Sequence, residues 1–477
     1  MRLSSSTLRQ VEPPAFTYVI GDFMGIEGVI VRGEGMDLTG IVSLQKDYFS
    51  EREMVSIGFR KNSLEKLLEA LDDFESAIFE VEKADLNKSE AEVRLTELDL
   101  IRQSIHYALK HIDGWARMKR VPSSWKIMPA RSYIIKEGYG SVLIMASWNC
   151  PLYLSLIPLI GAIAAGNCAV IRTSGRAPAT GRVLKDMING IFDKKYVYVI
   201  EENLPYSEVL EQDYDFIFFS GGERVGKSVM KTAAERLIPV SLQLGGKNPC
   251  IIDSHVDIEM AARKIAWGKI LNAGQTALAP DYILIPPEIK KEFIDALVAS
   301  FRKLLGDSYG NNNYSKIINL HHYMQLRTLI EKCDDCIGGI YNDSILRIEP
   351  AIFPNCTWND SIMREEIYGP ILPVIEYTDA AEMLRELKRR PKPVACYIFS
   401  EEEDFVRTML REVSFGSGCI NDVIIQKAAV NLPLGGVGRS GMGNYNGKAG
   451  FDLFTHEKSV VGRRNSFDHR SRYKPFM

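Results

Sequence analysis

Apolar positions divide the chain into stretches of different period. From about Asn62 to Met118 they follow helical steps: Leu64, Leu67, Leu68, Leu71, Phe74 and Ile78 come first, and Leu98, Leu100, Ile101, Ile105, Leu109 and Ile112 continue in a second helix. Between Ser141 and Ile171 no charged residue occurs. That is long enough for a transmembrane helix, but Trp148-Asn149-Cys150-Pro151, Pro158, Gly161 and Gly166-Asn167 interrupt it. The pattern predicts instead a strand over 141–146, a loop, a buried helix over about 152–165, a turn and a strand over 168–172. A helix near 179–192, strands over 196–200 and 216–219 and a helix from Arg224 follow. Such alternation predicts an α/β chain with a parallel, doubly wound sheet.

Two turns in this pattern can carry chemistry. Ser220-Gly221-Gly222-Glu223-Arg224-Val225-Gly226 lies between the apolar run 216–219 and a helix, where a Rossmann-like fold cradles pyrophosphate. Further on, Leu244-Gly245-Gly246-Lys247 is followed by an amphipathic run over about 258–271. That run ends on a small-residue loop, Asn272-Ala273-Gly274-Gln275-Thr276-Ala277, where a backbone can approach a substrate closely. Residues 1–42 stand apart: they are rich in Gly, with β-prone runs at 16–20 and 28–32 and turns at Gly21-Asp22 and Gly33-Glu34-Gly35. They are expected to form an ordered arm that packs locally, the alternative being an interface element.

Composition narrows the class. With 477 residues there is room for two domains or more, and 46% hydrophobic with 25% charged residues argues against a disordered chain. A net charge of −3 gives no reason to expect nucleic acid or an acidic surface as partner. Eight scattered Cys fit reduced thiols in the cytoplasm, and the first residues show no apolar core of a secretory signal. Cys333-Asp334-Asp335-Cys336 is a lone pair without further ligands, so no metal is expected; His321-His322 reads as the surface of a helix.

Several motifs together resemble the aldehyde dehydrogenases, and their class 3 branch in particular. They are Thr96–Leu98, Ala108–Trp115, the turn at Leu244–Lys247, the loop ending at Ala277, and Glu365-Glu366-Ile367-Tyr368-Gly369-Pro370. Cys419-Ile420-Asn421-Asp422, the run from Leu432 to Gly443 and the closing residues 472–475 complete the set. The similarity spans roughly residues 43–477. It implies an aldehyde dehydrogenase fold: a Rossmann-like cofactor domain (43–119 and 136–245), a catalytic α/β domain (246–423) and a bridging, oligomerisation region (120–135 and 424–477), with 1–42 as an added segment. It also implies a homodimer.

The same resemblance assigns roles. The family has a Glu general base where this chain has Gln243, and a Cys nucleophile where it has Ala277. Asn149 matches the residue whose amide holds the developing oxyanion, and Cys150 beside it is a candidate substitute nucleophile. At the cofactor end the resemblance points to Arg172, Ser174, Gly221, Gly222, Glu223, Gly226, Glu366 and Tyr368. The ligand would be NAD or NADP. Arg172 together with Gly175, where the family has an acid, tilts the expectation to NADP, whereas Glu223 would repel phosphates unless it points away.

An amide cannot take up a proton at neutral pH and an alanine has no nucleophilic atom. Three readings follow: a pseudoenzyme that keeps the fold for binding or for a protein partner; an NADP-dependent oxidoreductase moving hydride to a carbonyl or imine without a covalent intermediate; or an active enzyme disabled by mutagenesis at 243 and 277.

Overall fold

The computed structural model describes residues 38–200, 204–306, 311–468 and 473. Of the arm expected over residues 1–42, residues 1–37 lie outside the described residues, as does most of the closing motif at 472–475.

The chain enters through α1 (Leu38–Glu51), a helix that the sequence pattern left unread. Its buried face is Leu38, Ile41, Val42, Gln45 and Tyr48. Gln45 belongs there because its amide donates to the carbonyls of Ala169 (3.0 Å) and Lys194 (3.3 Å) and accepts from Ser141 Oγ (2.6 Å). The helical stretch that follows is divided more finely than its periodicity suggests. α2 (Ile57–Asp73) starts upstream of Asn62, capped by Ser56, and gives way at Phe74 to α3 (Glu75–Leu86). A single turn, α4 (Glu90–Val93), passes through a π turn (Arg94–Leu98) into α5 (Asp99–Trp115).

After β1 (Lys119–Val121) and β2 (Arg131–Gly138), the uncharged stretch folds as its punctuation indicated. β3 (Ser141–Met145) leads to α6 (Pro151–Ala165), in which every residue is buried, and then to β4 (Cys168–Arg172). Its lack of charge reflects burial on all sides. Among the described residues no helix is long and apolar enough to cross a membrane. α7 (Pro178–Ile191), β5 (Val197–Ile200), α8 (Tyr206–Leu210), β6 (Phe216–Ser220), α9 (Glu223–Glu235) and β7 (Val240–Gln243) continue the alternation. The second half adds β8 (Pro249–Ile252), α10 (Ile258–Ile270), β9 (Tyr282–Ile285) and β10 (Ile337–Gly338). Next come a ribbon of β11 (Tyr341–Asn342) and β12 (Arg347–Ile348), then β13 (Ala351–Phe353), β14 (Ile371–Glu376), β15 (Ala395–Phe399) and β16 (Ser417–Ile420). β17 (Gly441–Met442) and β18 (Thr455–Gly462) are the last strands described.

These strands form three main sheets. The first has the order β17-β7-β6-β3-β4-β5, parallel from β7 to β5. The second has the order β10-β13-β14-β9-β8-β15-β16 and is parallel apart from β10. The expectation of a parallel sheet needs correcting at the edges, where β17 and β10 run antiparallel. Two-residue edge strands carry too little pattern to be read in advance. Their parallel neighbours are covered on both faces and so read as unbroken apolar runs. The third sheet, β1-β2-β18, is antiparallel and draws β18 from the far end of the chain.

Candidate active site

The carboxyl ends of β3, β6 and β7 open onto one cavity of about 380 Å³, the position at which open α/β sheets bind ligands. Asn149 and Cys150 come from the loop after β3, Gly221 and Gly222 from the turn after β6, and Gln243 from the end of β7. The second half contributes Ala277, Glu366 and Tyr368. Eight of the residues singled out from the sequence therefore share a wall. Arg172, Ser174 and Gly226 do not line it, and Glu223 lines a neighbouring cleft.

The loop before Ala277 is held in an uncommon shape. Asn272 (φ 48°), Ala273 (φ 51°) and Gly274 (φ 73°) all take left-handed backbone angles. A Cβ on Gly274 would lie 2.4 Å from the carbonyl oxygen of Gly369, so glycine is required there for space as well as angle. Asn272 stabilises the turn by donating to the carbonyls of Asn149 (3.0 Å) and Gln275 (3.1 Å). The half-buried Glu92 carboxylate accepts from Asn272 N–H. Gln275 ties the loop to Asn272 and Lys316, and Asn248 holds the carbonyl of Ala277 at 2.7 Å. The Ala277 N–H has no acceptor among the described residues. The same is true of the Asn149 side-chain amide, although that residue is only 4% exposed.

Gln243 is tied down. Its Nε2 donates to Ser241 Oγ (3.1 Å) and Gly443 O (3.0 Å), which joins β7 to the β17 edge. Cys150 is buried, and burial raises its thiol pKa even though Lys427 and Lys88 act in the opposite direction. A thiol in that state is a poor nucleophile at neutral pH.

Glu366 lies across the turn at Gly245: a Cβ there would stand 1.8 Å from its Oε2. Burial, and then the charge of Asp281, push its carboxyl up to about 8, so it is protonated at neutral pH. Tyr368 (φ 52°) meets Trp148 edge to face at 5.6 Å, and its carbonyl accepts from His322 Nε2 at 2.7 Å. His322, expected at the surface, is half-buried in the cavity wall, and burial lowers its pKa. A helix face packed against a distant loop cannot be distinguished from a solvated one by local pattern.

The phosphate-end residues are placed less simply. Glu223 does not stand free beside the turn: its carboxylate is gripped by Arg439 (2.9 Å) and Lys227 (2.7 Å), which hold its pKa at about 2. It lines a second cleft of about 1080 Å³, shared with the first cavity through Gly222, Gly245 and Glu366. Arg224, Lys227, Lys247, Lys388, Lys392 and Arg439 also line this cleft, so its walls carry more cations than carboxylates. Arg172 is spent elsewhere. Its guanidinium is buried 3.9 Å from the Tyr206 ring centroid and donates to the carbonyls of Thr173 and Leu204 (3.1 Å each). Ser174 accepts from Arg176 N–H, and Gly226 packs under Leu244.

Lys427 escaped the sequence reading altogether. It lies in a short turn (Ile425–Ala428) after β16 and reaches the cavity from the second half of the chain. Its place follows from how the loop returns, and no spacing signals it.

The two mainly parallel sheets and the cleft at their carboxyl ends define an α/β protein of the Rossmann-like class. The aldehyde dehydrogenase family model matches residues 30–460, and the chain belongs to the aldehyde dehydrogenase family. That match starts upstream of Val42, so the segment 1–42 is not wholly an addition. The chain is 41% identical over 435 residues to the 4,4'-diaponeurosporen-aldehyde dehydrogenase of Staphylococcus aureus, covering 90% of this chain and 95% of that one. It is 34% identical over 443 residues to the mouse protein named aldehyde dehydrogenase, dimeric NADP-preferring (92% and 98% covered). Among solved structures, the substrate-bound state of Staphylococcus aureus AldH is similar with a TM-score of 0.89 and 40% identity, covering 92% of this chain and 97% of that one.

Proposed function

We propose that this chain is an aldehyde dehydrogenase-family binding protein, a pseudoenzyme that does not carry out standard NAD(P)-dependent aldehyde oxidation. One observation carries the reading: the cavity at the end of the parallel sheet presents Ala277 and Gln243 where covalent acyl transfer needs a thiolate and a base. The only thiol of the lining among the described residues, Cys150, is driven towards its neutral form by burial. What remains is suited to holding a carbonyl or carboxyl group, with the Asn149 amide and the Ala277 N–H as its donors.

The residues present fit a dinucleotide. Gly221 and Gly222 precede the N-terminus of α9, and the adjoining cleft is rich in cations. Glu366 would reach the nicotinamide ribose as a hydrogen-bond partner and Tyr368 would flank it. When bound, the dinucleotide supplies a hydride acceptor or donor. Arg172 lends no support to an NADP preference, because its guanidinium is engaged with Tyr206 and two carbonyls; the name of the mouse relative, dimeric and NADP-preferring, supports one. That same name supports a homodimer. We assign the bridging role to 120–135 and 424–477, where β2 and β18 pair, and the cytoplasm as location.

The test is NAD(P)H formation with short, long and aromatic aldehydes. Background rates are expected for the chain and for Cys150→Ala, and a rise of about a hundredfold or more for Ala277→Cys combined with Gln243→Glu. Ordinary turnover by the unmodified chain would overturn the proposal. A second reading, direct hydride transfer, is favoured by the unpartnered Asn149 amide, which could polarise a carbonyl or imine. It predicts NADPH consumption with such substrates that Asn149→Ala abolishes.

A further inference from the structure

The cavity holds a charge that the family resemblance does not account for. Lys427 Nζ donates to Thr96 O at 2.8 Å, lies 4.0 Å from the Tyr153 ring centroid and 3.7 Å from Cys150 Sγ. The Thr96 carbonyl oxygen accepts one of its hydrogens, and the Tyr153 ring face lies against its charge. No carboxylate among the described residues is within ion-pair distance of it. Arg176, the other cation of the lining, is exposed at the wall and also lacks an ion-pair partner among the described residues. Among the described residues the lining has one carboxyl, Glu366, which is protonated at neutral pH. The described lining therefore carries cations without an ionised carboxylate of its own. Independently, Asn149 is only 4% exposed and lines the same space, and its side-chain amide has no hydrogen-bond partner among the described residues, so it is open to a ligand in the cavity.

We infer that Lys427 is the anchor of a carboxylate ligand. An amphipathic acid would place its anionic head on the Lys427 ammonium and the Asn149 amide, and its apolar remainder against Tyr153, Leu154, Leu434 and Tyr445. This deepens the binding-protein reading and rests on it, because a cavity that does not turn ligands over can be specialised to hold an acid. It makes Lys427 the residue that determines specificity. Binding would trade the solvation of two ions for a charge-assisted contact in a partly dry site.

Decanoate is the probe and decanol its uncharged counterpart, each titrated calorimetrically into the full chain at neutral pH. Decanoate is expected to bind about tenfold more tightly or better, a difference of about 1.4 kcal/mol. Lys427→Met should erase that preference and Lys427→Arg keep most of it, with thermal melts showing both variants folded. Equal affinity for the two ligands in the unmodified chain overturns the inference, and this comparison needs no variant. So does decanoate affinity that is unchanged in folded Lys427→Met. Decanal oxidation in the same preparation is a separate readout. Turnover with Lys427-dependent decanoate binding overturns the pseudoenzyme reading but leaves the anion site standing. No turnover and no preference for the acid does the reverse.

Discussion

Glu366 shows how strongly one side chain depends on its surroundings. In the unfolded chain it ionises near its ordinary value, whereas in the fold burial and Asp281 hold it up at about 8. The folded state therefore binds the extra proton, and this residue's contribution to stability is full below about pH 4.5 and declines until about pH 8. The decline cannot exceed about 1.4 kcal/mol per pH unit. Glu366→Gln should flatten that part of the stability profile and be the more stable form at pH 8, by up to a few kcal/mol, in urea unfolding at a series of pH values. A variant that follows the unmodified chain throughout would contradict this account. Gly245 is the complementary case. Gly245→Ala would put a Cβ 1.8 Å from Glu366 Oε2, so the carboxyl must move out of its place. A loss of about 1–3 kcal/mol is expected, read as a lower melting temperature, with cofactor affinity falling alongside.

At the scale of the element, α6 depends on charges outside it. Glu97, turned inward by the π turn, accepts from the N–H groups of Leu152 and Tyr153 (3.0 Å each) at the helix start. Lys88 pairs with Glu97 and with Glu82 (3.0 Å), and all three are fully buried. Two carboxyls share one ammonium, and Glu82 is raised to about 8, chiefly by burial. Lys88→Met would leave Glu97 capping the helix with no counter-ion. A loss of about 3–5 kcal/mol is expected in denaturant unfolding; a loss below about 1 kcal/mol would show that the cluster adjusts by proton uptake alone. The α6 helix itself was legible, since fifteen residues bounded by Pro151 and Gly166 hold no charge. The residues that sustain it were not, because Glu97 reads as one more polar position on an amphipathic helix.

At the scale of the whole molecule, the β1-β2-β18 sheet matters most. β18 pairs with β2 from Thr455↔Gly138 to Gly462↔Arg131, and its outer residues Val460 and Val461 are 42% and 58% exposed. An exposed edge strand with apolar residues invites pairing, and with the bridging role proposed for this region we propose it as the surface of a homodimer. Light scattering at micromolar concentration should give about twice the monomer mass of 53.7 kDa. Val461→Lys is expected to shift the equilibrium towards monomer while the melting curve keeps its shape. A monomer in the unmodified chain would remove the basis for this interface.

Periodicity and punctuation determined β3, α6, β4, α7, β5, β6 and the start of α9 to within a residue or two, but not β7, β17 or α8. A parallel sheet covered on both faces forces unbroken apolar runs, and Gly and Pro mark their ends. The motifs at Leu244–Lys247, Glu365–Pro370 and Leu432–Gly443 likewise determined the family, because each places glycine where the backbone itself makes contact. The tertiary structure decided what depends on distant neighbours. It turned Arg172 onto Tyr206, bound Glu223 to Arg439 and brought His322 into the cavity wall. It also set Lys427 beside Cys150, 277 positions away in the chain. Electrostatics in a low-dielectric cleft is set by which charges meet there, and residues so far apart in sequence leave no local pattern to read.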